Sequence, residues 1–511
     1  MTATHETTPQ PPTHLKQGSF NWIVLAGLGV SFVISGDFAG WQFGLGSGGW
    51  GGLFCALLIV AILYMSMCLA LAELSAALPS AGGGHLFAQV AVGDFAGFMT
   101  AIAILLEYVL APAAIATFIS SYVESLHIPG VPAGWPIYLF CYIAVVVVHL
   151  AGAGEALKAM CAVTIIAVAA LVLYTVVMAP HVHISAFTDG WSGATESHNP
   201  PGTSDHISLF DGGLAGIWAT IPFAMWFFLA IEGVPMAAEE AKDPARSVPK
   251  AIVVAMMILL VAAITMMVVG PGAAGTGVVA ESGNPLVAAL EHVGANHTVV
   301  VAINYAALLG LVASFFSIIY GYSRLTFSLS RAGLLPAFLS TTNRRGAPTW
   351  ALIVPACVGF ALTLVADGDA LMSVAVFGAV VSYALMMVAH IVLRVRRPEL
   401  PRPYRTLGGI ATSGVALVLS LGAVVATFMN APMLAGCALG VMALAAVGYA
   451  AWGRKTSPVD IAQERAARQR AGRERNLKAR DLAVPSPSPR ELETPTNTPR
   501  TLTPLQAEEV Y

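Results

Sequence analysis

Four carboxylates stand inside long apolar stretches, where little water can hold an ionised group: Asp37, Glu73, Glu107 and Glu232. Acids at such positions are costly, and they mark substrate paths, ion paths and proton relays. Glu73, in Leu71-Ala72-Glu73-Leu74, lies near the end of its stretch and reads as a helix-end residue. Asp37 and Glu232 sit in sequence that makes poor continuous helix. The first runs Val33-Ile34-Ser35-Gly36-Asp37-Phe38-Ala39-Gly40. Glycine costs about 1 kcal/mol in a helix interior, and Ser and Asp side chains compete for backbone hydrogen bonds. The second runs Phe227-Phe228-Leu229-Ala230-Ile231-Glu232-Gly233-Val234-Pro235, and its proline removes a backbone donor and crowds the preceding turn. An acid at a helix interruption suits an ammonium or a proton.

The elements that must position these acids follow from composition. The 511 residues are 57% hydrophobic and only 10% charged, against about 25% charged in soluble domains. The mean hydropathy is +0.75. No lysine or arginine falls between Lys16 and Lys158. A bilayer span needs about 20 mostly apolar residues. The pattern predicts an all-α membrane protein with twelve spans: 21–47, 51–77, 96–125, 135–152, 159–180, 214–240, 249–271, 299–330, 348–366, 369–394, 407–429 and 432–452. Residues 1–20 form a polar N-terminal tail without a secretory signal pattern. Residues 453–511 form a C-terminal tail whose Pro/Ser/Thr-rich second half reads as disordered.

The basic residues sort to one side. Lys16 precedes span 1 and Lys158 lies between spans 4 and 5. Lys242, Arg246 and Lys250 lie between spans 6 and 7. Arg324, Arg331, Arg344 and Arg345 lie at or beyond the end of span 8. Arg394, Arg396, Arg397, Arg402 and Arg405 lie at or beyond the end of span 10, and the rest follow span 12. Cytoplasmic loops carry the Lys/Arg excess, so both termini are expected in the cytoplasm of a multi-pass cell-membrane protein. The loop 181–213, with His181, His183, His198 and His206, is then external, and its spacing matches no metal site. The six cysteines all lie in apolar runs without ligand spacing. Gly44-Leu45-Gly46-Ser47-Gly48-Gly49 spells a dinucleotide fingerprint but lacks the strand–turn–helix context. No HExxH or GxSxG occurs. An enzyme is not expected, nor is a cofactor, a metal or a nucleic-acid partner.

Glu232 to Asp243-Pro244, with Ser247-Val248-Pro249-Lys250, resembles the sixth span and following loop of the amino acid–polyamine–organocation superfamily. So does Ser323-Arg324-Leu325-Thr326-Phe327-Ser328-Leu329-Ser330-Arg331 after span 8, and Leu78-Pro79-Ser80-Ala81-Gly82-Gly83-Gly84 is a similar turn. Within the superfamily, Ile34-Ser35-Gly36-Asp37-Phe38-Ala39-Gly40-Trp41 and Ile104-Leu105-Leu106-Glu107-Tyr108-Val109-Leu110-Ala111-Pro112 resemble the ethanolamine permeases. The likeness covers about residues 20–452. It implies a leucine-transporter-type fold of two inverted five-helix repeats plus two helices. It also implies secondary transport by alternating access, with substrate held between the breaks of spans 1 and 6.

The expected substrate-binding set is Ser35, Gly36, Asp37, Trp226, Phe228, Ala230 and Glu232. Amino-acid carriers of this superfamily expose backbone N–H groups to a carboxylate at the first break, and helix N-termini favour anions. Asp37 there favours an ammonium instead, and cation–π contact with nearby aromatics contributes up to about 2 kcal/mol when desolvated. The expected partner is ethanolamine or a related small organic cation; the alternative is another amine or amino acid, proton-coupled or exchanged. Asp37 also suits the N-cap of the second half of span 1. Glu232 aligns with an acid common to the superfamily, which favours a structural role. Glu107 suits either a proton site or an interhelical hydrogen bond, and the second is taken as the expectation. Some proton-linked relatives carry a lysine within span 5, which 159–180 lacks. The coupling ion is left open.

Overall fold

The computed structural model describes residues 20–79, 82–188 and 209–452. The expected tails, apart from Phe20, and the middle of the loop 181–213 lie outside the described residues. Among those described the chain is helical, with only two isolated bridges, Phe20 to Ala241 and Thr342 to Pro348. Among the described residues ten helical segments are long and apolar enough to cross a membrane, and two shorter apolar helices, α1 (Trp22–Val33) and α12 (Thr349–Thr363), accompany them.

The sequence explains where helices start and turn. Asn21 caps α1, its side chain accepting from the N–H groups of Ile23 and Val24 at 3.1 and 3.0 Å. After α1 come a single turn, α2 (Ser35–Phe38), and a short 3-10 helix, Trp41–Gly44. Helix α3 (Leu45–Ala77) follows, and the turn between the first two expected spans falls at Gly49, whose φ is 67°. Expected spans 4 and 5 are likewise one interrupted helix, α6 (Trp135–Met178), bent at Gly152. The other long helices are α5 (Asp94–Glu124), α8 (Pro244–Ala274), α11 (His297–Arg331), α13 (Gly368–Arg396), α14 (Ile410–Asn430) and α15 (Pro432–Trp452). A further span runs from α7 (Gly213–Trp226) into a 3-10 helix, Ile231–Glu240, and the short helices α4 (Gly84–Ala91), α9 (Thr276–Glu281) and α10 (Pro285–His292) lie in the connections.

Burial separates an inner from an outer set. Helices α5 and α13 and the α7 span are the most deeply buried of the long segments, and α15 is the least. Phe140, Ile165, Val176 and Leu444 lie exposed on outer helices, where lipid takes the place of a protein core. Helix α13 packs on α5 and α14, α3 on α7 and α8, and α11 on α5 and α6. The interrupted span α1–α2 packs on α6, α8 and α11, and α7 on α3, α13 and α14; burial within protein is where non-helical backbone is tolerated in a membrane protein.

Candidate functional site: two helix breaks and a buried carboxyl pair

The first break opens later than the sequence suggests. Ser35, Gly36 and Asp37 belong to the helical turn α2, and the ladder ends with the Ala39 N–H donating to Ser35 O at 3.1 Å. Ala39 is then extended and Gly40 adopts φ 104°. Two separate pressures explain the glycines. A Cβ on Gly36 would meet the Trp226 carbonyl and the Phe227 backbone, so Gly36 lets the two interrupted spans cross closely. Gly40 combines a positive φ with the Trp226 indole against its Cα, so any side chain there is strained.

The carbonyls freed at this break are satisfied by side chains. Tyr122 on α5 donates its hydroxyl to Phe38 O at 2.7 Å, and the Trp226 indole donates to Ala39 O at 2.8 Å. The Gly40 N–H donates to Gln42 Oε1 at 2.6 Å, and Gln42 in turn donates to Ser282 O at 3.1 Å. Ser35 faces α11, with its Oγ 2.8 Å from Ser314 Oγ. Ser314 donates to Phe32 O at 2.7 Å, and the Ser31 and Ser317 hydroxyls lie 2.7 Å apart. These four hydroxyls stitch α1–α2 to α11.

Asp37 is different. It is fully buried, and neither carboxylate oxygen has a hydrogen-bond partner. The capping role open to it in the sequence does not hold: it lies within a helical turn, and no backbone N–H reaches its oxygens.

The second break covers Phe227 to Ala230. Ala230 sits at φ 74°, a left-handed conformation that costs a residue with a Cβ roughly 1–2 kcal/mol. Pro235 falls not at the break but inside the 3-10 helix that follows. Trp226 is buried with its edge on Phe118, Phe227 stacks on Trp41 at 5.5 Å, and Phe228 lies 5.3 Å from the Tyr64 ring.

Beyond this break two acids meet on one hydroxyl. Tyr383 Oη on α13 is 2.9 Å from Glu232 Oε2 and 3.4 Å from Glu107 Oε1. Tyr64 Oη on α3 lies 3.2 Å from Met225 O and 3.4 Å from Tyr383 Oη, its one proton serving either, and Tyr108 Oη on α5 lies 3.5 Å from Ala230 O. The Glu107 and Glu232 carboxyls also contact each other directly, and the Tyr108 hydroxyl reaches Glu232. Glu107 on α5 thus lies within hydrogen-bond distance of Tyr383 on α13. Tyr64, Tyr122, Gln42 and Tyr383 were not singled out from sequence. The signal was there in part, because a buried tyrosine hydroxyl usually finds a partner.

Glu73 is more than a helix-end residue. Arg394 binds it through Nε at 2.9 Å and Nη2 at 2.5 Å. Arg402 lies at 3.0 Å, His390 at 3.4 Å, and the Thr406 N–H at 2.7 Å. At the same lysine- and arginine-rich end, Arg324 pairs with Glu240 at 2.8 Å. There Phe20 and the segment Glu240–Lys242 exchange backbone bonds of 3.0 and 2.9 Å. Among the described residues no three His, Cys, Asp or Glu side chains are grouped to hold a metal ion.

The amino acid permease family model matches residues 20–452. The branched-chain amino acid permease BcaP of Bacillus subtilis is 25% identical over 393 residues, covering 72% of this chain and 79% of that protein. The methylthioribose transporter of the same organism is 26% identical over 375 residues, covering 69% and 74%. The aromatic amino acid transport protein AroP of Escherichia coli is 25% identical over 361 residues, covering 67% and 73%. A match running from the first described residue to the end of the last apolar helix takes in both breaks and the acids Asp37, Glu73, Glu107 and Glu232, and by it the chain belongs to the amino acid permease family, as a multi-pass membrane transporter.

Proposed function

We propose that this permease imports ethanolamine or a similar small amine by alternating access, with the substrate held between the two helix breaks. The observation that carries the reading is Asp37: a fully buried carboxylate, without a partner on either oxygen, two residues before the extended Ala39. An unpaired buried charge is costly, and an ammonium arriving there offsets that cost. A substrate carboxylate would instead meet an acid. Ser35, Gly36, Trp226, Phe228, Ala230 and Glu232 complete the proposed site around Asp37. Trp226 acts in it chiefly by holding the break, since its indole N–H is already bonded to Ala39 O.

Twelve spans follow if the ten long segments and the two shorter helices all cross. Breaks in the first and the sixth then suit two inverted five-helix repeats followed by two helices. The one-sided lysines and arginines support cytoplasmic termini. In that orientation a cation moving inward gains about 2.3 kcal/mol per 100 mV of membrane potential.

The relatives' names favour a second reading, an amino acid substrate. Two of the three carry amino acids by name, and the third carries methylthioribose, which has no carboxylate. Uptake into proteoliposomes, with labelled ethanolamine competed by choline, alanine and lysine, separates the readings. Competition by alanine with no ethanolamine uptake would replace the amine by an amino acid.

A further inference from the structure

We propose that the indole N–H of Trp41 donates to an oxygen on the substrate, so that the carrier takes an amino alcohol and discriminates against an alkylamine of similar size. This rests on the amine reading above and adds to it a second recognition point, separate from Asp37.

The other polar side chains around the first break have partners. Ser35 Oγ lies against Ser314 Oγ, Tyr122 donates to Phe38 O, and the Trp226 indole donates to Ala39 O. Gln42 accepts from the Gly40 N–H and donates to Ser282 O. Asp37 and Trp41 stand apart from these. Asp37 has both oxygens unpartnered, and Trp41, only 1% exposed, has its Nε1–H unpartnered. An indole N–H is a donor only, and a buried tryptophan usually finds an acceptor for it. A carboxylate four residues earlier in the chain could serve, yet the two do not bond each other. The extended Ala39 and Gly40, at φ 104°, lie between them, so Asp37 and Trp41 flank the open backbone.

Both residues meet the second break at Phe227. The Phe227 backbone lies against Gly36, the neighbour of Asp37, and the Phe227 ring stacks on Trp41 with centroids 5.5 Å apart. The crossing of the two interrupted spans therefore holds a group that only accepts, Asp37 as carboxylate, and a group that only donates, the Trp41 N–H. A molecule that answers both carries a cation and, a few bonds away, a hydrogen-bond acceptor. A hydroxyl oxygen accepts without bringing charge. A carboxylate would accept too, but it would set a second anion near Asp37. A diamine protonated at both ends offers only donors. An alkylamine satisfies Asp37 and leaves the buried indole N–H unanswered, and a site built to bond a substrate hydroxyl rejects the analogue that lacks it.

The test is calorimetric titration of the full-length protein in nanodiscs with ethanolamine and with ethylamine, which lacks only the hydroxyl. Ethylamine is the more apolar of the two, so burial alone would favour it. The wild type should instead bind ethanolamine more tightly by about tenfold or more. In Trp41→Phe that preference should shrink to within about twofold. If Trp41→Phe does not fold, 3-benzothienylalanine at position 41 gives the same comparison, because sulfur replaces the indole N–H in a ring of nearly the same shape. Equal binding of the two amines by the wild type, or a full preference kept in the altered protein, overturns the role of Trp41 and leaves the amine reading standing. Failure of the wild type to bind either amine overturns the amine reading and this assignment with it.

Discussion

The indole N–H of Trp226 donates 2.8 Å to the carbonyl of Ala39, so the last residue of α7 closes the open backbone of the first interrupted span. The two breaks are therefore one structural unit. Gly36 and Gly40 make it possible, since a Cβ on either would strike the Trp226 residue. In the proposed alternating-access cycle, movement of one half-span would pull on the other through this bond.

The bond predicts an asymmetric penalty. Trp226→Phe keeps most of the apolar bulk but leaves Ala39 O buried without its donor. An unsatisfied buried group costs about 1–3 kcal/mol. We expect a lower unfolding temperature in detergent and a larger fall in transport rate than in substrate affinity. Unchanged stability would show that Ala39 O finds another donor.

The sequence disclosed the acids and the existence of both breaks, because charge and poor helix formers stand out against an apolar background. It misplaced the first break. Ser35-Gly36-Asp37 looked least helical, yet the serine bonds across to α11 and the glycine serves helix crossing, so the turn holds. What opens the chain is Gly40, pressed by an indole from a distant span. The tyrosines of the carboxyl pair were hidden for the same reason. Tyr64 and Tyr383 sit in ordinary apolar helices, and only the packing of α3, α5, α7 and α13 brings their hydroxyls to Glu107 and Glu232. Glu73 likewise read as a helix end because Arg394 and Arg402 reach it from the far end of the sequence.

Glu73 supports a second prediction. It holds Arg394, Arg402 and the Thr406 N–H together, and its own side chain is only 2% exposed. Breaking a buried ion pair costs about 3–5 kcal/mol. Arg394 is 22% exposed, which places the loss for Glu73→Gln toward the lower end. The measurement is thermal unfolding in detergent beside that of Glu399→Gln, an exposed acid in the connection that carries Arg402. Equal unfolding temperatures for the two variants would show that the network contributes nothing measurable.

Orientation gives a third prediction. In a cysteine-free background, a cysteine at Glu281 should react with an impermeant maleimide added to intact cells. Cysteines at Arg345 and Arg402 should react only after the membrane is opened. The reverse pattern would place the basic loops outside and refute the charge-based topology.

The last prediction concerns Asp37 and the ammonium. Its two oxygens are buried and accept no hydrogen bond, so an ionised Asp37 lacks the compensation a structural acid would have until a cation arrives. Glu73, bonded to arginines and a backbone N–H, shows what such compensation looks like in this same chain. Asp37→Asn preserves the shape of the side chain and removes only the charge. If an ammonium pairs with Asp37, the substitution removes one partner of a buried ion pair, at about 3–5 kcal/mol. Each 1.4 kcal/mol is about tenfold in affinity, so binding of ethanolamine should weaken by at least about a hundredfold. The empty protein should lose no stability, because neither oxygen makes a hydrogen bond in it. That distinguishes a ligand-pairing acid from a structural one, whose loss would destabilise the empty protein. Calorimetric titration and thermal unfolding of the same preparation measure both. Near-normal affinity in a well-folded Asp37→Asn protein would end the charge-pairing account and leave the carboxylate at this break without a role.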